Sequence, residues 1–120
     1  MSNWANWEME QRIREALEKA EIRREQRTLM SSFQIMISIC KEDPDFLEMT
    51  GKEIGGEGIH HTHSLAVYLS RELTKRINDG RIDDIELFHL SEKHMDELEF
   101  IDHEGNEIEA VHSHLFRLKG

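Results

Sequence analysis

The sequence predicts an α+β fold, with a long N-terminal helical region and a central amphipathic helix packed on a small C-terminal antiparallel sheet of about three strands. Three observations carry this expectation. Neither Gly nor Pro occurs between Trp4 and Glu42; Leu65, Ala66, Leu69, Leu73 and Ile77 recur at helical steps; and after Gly80 the apolar period shifts toward two. A chain of 120 residues, 38% of them hydrophobic, suits one domain with one core. Within it, residues 1–50 form the helical region, 51–58 a Gly-rich loop, 59–80 the central helix segment and 81–120 the β-rich part.

The N-terminal helix starts after a cap supplied by Ser2 or Asn3, and its residues are mostly good helix formers. Glu8 with Arg12, Glu10 with Arg14 and Glu15 with Lys19 stand four apart with the acidic partner first, the more favourable orientation. Met9, Ile13, Ala16, Leu17 and Ala20 make a thin apolar stripe. Counting 100° per residue, Leu29, Met30, Phe33, Met36, Ile37 and Cys40 point away from that stripe. Either one long helix faces two neighbours, or the chain bends between Glu21 and Thr28. Phe33, Ile35, Ile37 and Ile39 also alternate as a strand would, but the common polar side of Ser31, Gln34, Ser38, Lys41 and Glu42 favours a helix.

Pro44 ends this element, since the residue before a proline is driven out of the helical region. Asp43-Pro44-Asp45 then opens a short helix through FLEM, which Gly51 stops. The central helix begins at a Thr62 or Ser64 cap and ends with Lys75 and Arg76 near the negative end of its dipole, followed by Asn78-Asp79-Gly80. Beyond it, Ile82, Ile85, Leu87 and Phe88 suggest a first strand. Leu98, Phe100 and Ile101 suggest a second, and Ile108, Ala110 and Val111 a third that runs on toward Leu118. The turn-rich Asp102 to Asn106 makes Glu97 to His112 read as a hairpin.

The net charge of −10 disfavours binding to a phosphate backbone and favours partners with a basic surface. Through Arg27 each acidic residue is matched by a basic one, so the excess negative charge belongs to the later part of the sequence. No apolar run is long enough for a membrane helix, and Met-Ser-Asn-Trp does not resemble a secretion signal, so a cytoplasmic protein is expected. Cys40 is the single cysteine, and its apolar neighbours imply a buried, inert thiol.

Two sets of side chains stand out. Trp4 and Trp7 share one side of a helix, opposite Ile13 and Leu17, so one domain core cannot readily cover both sides. Trp4, Trp7, Ile13 and Leu17 are therefore the expected contacts to a partner or a sister chain, as a homodimer; the competing reading is a terminal helix folded back so that both indoles are buried in the chain's own domain. The second set is His61-Thr62-His63 and His112-Ser113-His114: His-x-His on a strand puts both rings on one face, a geometry that can chelate a divalent metal. In those two letters the first pair resembles the motif of the metalloprotease family of deubiquitinating enzymes. It departs from it in having Ser64 where that motif has proline and no aspartate at the later ligand position.

Gly55-Gly56-Glu57-Gly58 lacks the ending of a phosphate loop, and Ser64 and Ser70 lie outside any Gly-x-Ser-x-Gly elbow, so no catalytic residue is assigned and no cofactor is expected. The favoured reading is a small acidic regulatory or inhibitory protein that binds another protein. A nucleic-acid-binding target engaged by charge mimicry is one candidate, a reading in which the chain is similar in size and composition to small acidic DNA-mimic and immunity proteins. The alternative is a small metal-dependent hydrolase using His61, His63, His112 and His114.

Overall fold

The N-terminal region breaks into separate pieces. The computed structural model describes residues 3–52, 54, 64–89, 100–101, 104–105, 107–108 and 114–119. A single helical turn, α1 (Asn3–Asn6), is separated from α2 (Met9–Glu18) by Glu8, whose backbone is left-handed at φ 55° and ψ 42°. A non-glycine residue there costs on the order of 1 to 2 kcal/mol. In return the kink lets Trp4 reach the same core as Met9, Ile13, Ala16 and Leu17. The opposed faces expected of Trp4 and Trp7 against Ile13 and Leu17 thus do not arise, because the two pairs do not share one helix axis.

After Glu18 the chain bends, the second of the two outcomes open from sequence. Strands β1 (Ile22–Arg23) and β2 (Gln26–Arg27) pair antiparallel as a small hairpin, with Arg24 at φ 51° and Glu25 at φ 69° in its turn. Two central residues at positive φ are the mark of a type I′ turn, which matches the twist of the strands it joins. Strand β3 (Met30–Ser31) leads directly into α3 (Ser32–Glu42). Ser31 and Gln34 form a capping box: the Ser31 hydroxyl accepts from the Gln34 amide at 3.1 Å, and the Gln34 side chain accepts from the Ser31 amide at 2.7 Å. Because the chain has bent, Phe33, Met36 and Cys40 face the core that Ile13 and Leu17 also face. That reconciles the two apolar stripes whose phases disagree along a single helix.

Helix α4 (Phe46–Thr50) is closed by Gly51 at φ 69°, whose amide donates to the Leu47 carbonyl. Helix α5 (Leu65–Asn78) is capped by Ser64, whose hydroxyl accepts from the Val67 amide. Leu65, Ala66, Leu69 and Leu73 are fully buried and Ile77 partly so, as the periodicity requires. Each buried leucine stabilises the fold by about 1.5 to 3 kcal/mol.

Strands β4 (Ile85–His89) and β7 (His114–Leu118) pair antiparallel over their full length, and β3 adds to the other edge of β7. The three-stranded sheet therefore has the order β3-β7-β4, so one of its strands comes from the N-terminal half rather than from the C-terminal meander. Phe116, at the centre of the middle strand, is fully buried. Between them, β5 (Phe100–Ile101) and β6 (Glu107–Ile108) pair antiparallel, with Phe100 opposite Ile108, as the hairpin reading expects. Leu98, Ala110 and Val111 lie outside the described residues. Helices packed with a small antiparallel sheet make this an α+β fold. Among the described residues no helix is long and apolar enough to cross a membrane.

Candidate functional site

A groove of about 850 Å³ runs beside α2, lined by Trp4 and Ala5 from α1, by Arg76 from α5, and by a series of α2 side chains including Glu10, Gln11, Glu15 and Glu18. Glu8, at the kink, also lines it. Its apolar wall is Trp4, only 4% exposed, whose ring lies tilted against Tyr68 with centroids 6.1 Å apart. The Arg76 guanidinium stacks 4.4 Å from the Trp4 ring and is held by the Glu72 carboxylate at 3.0 Å and the Glu72 carbonyl at 3.1 Å. That bond holds the Glu72 carboxyl below its usual range.

Of the three pairs that spacing suggests along α2, Glu10 with Arg14 forms, while Arg12 and Lys19 turn to other carboxylates. Arg12 donates to Asp43 at 3.1 Å and lies over the Phe46 ring, while Lys19 pairs with Glu42. Arg14 keeps Glu10 at 3.7 Å but makes its shorter bonds to Asp84, at 2.8 and 3.0 Å. The Arg14 hydrogen bond depresses the Asp84 carboxyl, and Asp84 in turn raises Arg14. The cations of α2 are thus drawn to carboxylates on α3, the loop after it and the approach to β4. Glu8, Glu15 and Glu18 are left with no ion pair among the described residues; Glu15 accepts only from Gln11 at 3.1 Å. With Gln11 between them, these positions follow steps of three and four and share one exposed face. A row of unpaired carboxylates can attract Lys and Arg side chains through charge and charge-assisted hydrogen bonds.

Of the residues singled out from sequence, Trp4, Ile13 and Leu17 are buried in the chain's own core, and Trp7 packs edge-on against Phe46 and Tyr68. His61, His63 and His112 lie outside the described residues. His114, on β7, stands opposite His89 of β4 with ring centroids 4.9 Å apart, and its Nδ1 is hydrogen-bonded to Ser70 Oγ of α5. Among the described residues no group of three or more His, Cys, Asp or Glu is placed to hold a metal ion. The Ser70 and His114 pair joins positions 44 apart and has no sequence signal, because only the register of β7 against β4 and its packing on α5 create it. Ser70 sits in mid-helix, where backbone amides are engaged in the helix itself, so α5 offers the pair no free backbone amide for an oxyanion. Comparisons with protein-family models, with curated proteins and with solved structures gave no match to this chain.

Proposed function

We propose that the chain is a small acidic regulatory protein that binds a Lys- and Arg-rich segment of another protein along the groove beside α2. The observation that supports this reading is the row Glu8, Glu15 and Glu18, unpaired among the described residues and set next to the Trp4 wall. A chain with net charge −10 draws a basic partner from a distance, and the row gives the encounter a place to end. A nucleic-acid-binding protein presents such a segment, and carboxylates in a row can occupy the positions of its phosphates, which would inhibit it.

Photo-crosslinking from position 11, in the middle of the row, tests the proposal. The expected product is a crosslink to a Lys- or Arg-rich segment, lost when Glu8, Glu15 and Glu18 are all replaced by Gln and weakened by high salt, where the Debye length falls to about 3 Å at 1 M. Capture of a neutral or acidic segment, or capture indifferent to the triple substitution, would overturn it.

A further inference from the structure

A second cavity, of about 430 Å³, lies against α5 and has no part in the acidic groove. Ser70, Arg71, Thr74, Lys75 and Asn78 follow steps of three and one along α5, which aligns them in one stripe, and β7 brings His114 against it. In a chain with 25 acidic and 15 basic residues, the described lining of this cavity contains two cations and no carboxylate. Its volume falls in the range of small-molecule sites.

The polar groups are arranged unevenly. The Ser70 hydroxyl is buried and engaged with His114 Nδ1, which holds that ring at the cavity wall. Thr74 Oγ1 is buried and has no hydrogen-bond partner among the described residues, a state that native structures rarely keep without a ligand or water to satisfy it. Arg71 approaches Glu72 at 3.6 Å, but that carboxylate makes its closer bond to Arg76 at 3.0 Å, and the Arg71 side chain stays 61% exposed. Two cations and a hydroxyl donor suit a group that carries nearly two negative charges on several oxygens.

We propose that this cavity binds a small phosphomonoester, with its phosphate on Arg71, Lys75 and the Thr74 hydroxyl. A carboxylate carries one charge where a phosphomonoester carries nearly two, and spreads it over two oxygens rather than three, so it matches two cations and a hydroxyl less well. The organic part of the ligand rests against Val67 and the His114 ring.

Titration of the intact protein with phenyl phosphate, followed by NMR and calorimetry, tests this, with inorganic phosphate and benzoate as comparison probes. Saturable binding at one site is expected, with the largest amide shifts between residues 70 and 78. Benzoate should bind more weakly, and inorganic phosphate should compete for the same site. Because Arg71 and Lys75 project from the surface, R71Q/K75Q should fold normally and weaken phenyl phosphate by at least about tenfold. Thr74→Val, which keeps the shape and removes the donor, should weaken it several-fold, whereas R23Q/R24Q on the distant hairpin should not change it. The proposal fails if no saturation occurs by about 10 mM, a concentration that would leave only a trivial affinity. It also fails if benzoate binds as tightly as phenyl phosphate, or if R23Q/R24Q is as damaging as R71Q/K75Q.

Discussion

Replacing Trp4 with alanine should destabilise the folded chain by about 3 to 5 kcal/mol, the usual cost of removing a buried aromatic side chain. The structure supplies the terms. The indole is 4% exposed, tilts against Tyr68 at 6.1 Å and carries the Arg76 guanidinium at 4.4 Å, so the substitution removes a large apolar surface and a cation–π contact together. Trp4→Phe should cost far less than the lost volume suggests, because Trp4 Nε1 is buried with no hydrogen-bond partner among the described residues. Removing that unsatisfied donor returns about 1 to 3 kcal/mol and offsets much of the packing loss. Urea unfolding followed by far-UV circular dichroism measures both variants, and sedimentation equilibrium reports their association state in parallel. The expected order is wild type, then Trp4→Phe close behind, then Trp4→Ala well below, with no change in oligomeric state. If Trp4→Ala costs less than about 1 kcal/mol and instead dissociates an oligomer, the ring serves an interface and the intrachain account of α1 is wrong.

Two further predictions concern charge and backbone. Glu72 and Asp84 are both held below their usual carboxylate range by arginine hydrogen bonds, so the stability they contribute is complete above about pH 5 and is lost as pH falls through their lowered folded-state values. Glu72→Gln, which strips the nearly buried Arg76 of its counter-charge, should cost more than Asp84→Asn, whose solvent-exposed pair is worth at most about 1 kcal/mol. Both variants should flatten the fall in urea midpoint between neutral and acid pH, and an unchanged acid slope would disprove the linkage. In the β1–β2 turn, Glu25→Gly relieves a non-glycine residue at φ 69° and should raise stability by about 1 kcal/mol; a lowered urea midpoint would show that the Glu25 side chain contributes more than its backbone costs.

Much of the fold could be read from local pattern alone. The core face of α5 follows from the recurrence of Leu65, Ala66, Leu69 and Leu73, its start from Ser64, and the end of α4 from Gly51, since periodicity and capping depend only on neighbours in the chain. The kink at Glu8 and the reversal after Glu18 were less accessible, because neither uses Gly or Pro. Burial of Trp4 and of the two apolar stripes in one core outweighs the local preference to continue the helix. The same holds for β3, a two-residue strand whose place in the sheet depends on β7, 86 positions away by its Met30 to Phe116 pairing.

The candidate sites divide along the same line. Composition by itself determined that the chain is acidic, because net charge needs no geometry. Which carboxylates remain available was decided only by tertiary structure. In sequence every acidic residue through Arg27 has a basic counterpart, yet folding turns Arg12 to Asp43, Arg14 to Asp84 and Lys19 to Glu42, leaving Glu8, Glu15 and Glu18 without ion pairs among the described residues. The physical reason is that a flexible arginine or lysine pairs with whichever carboxylate the packed elements bring within reach, and helical spacing governs only the neighbours on its own helix.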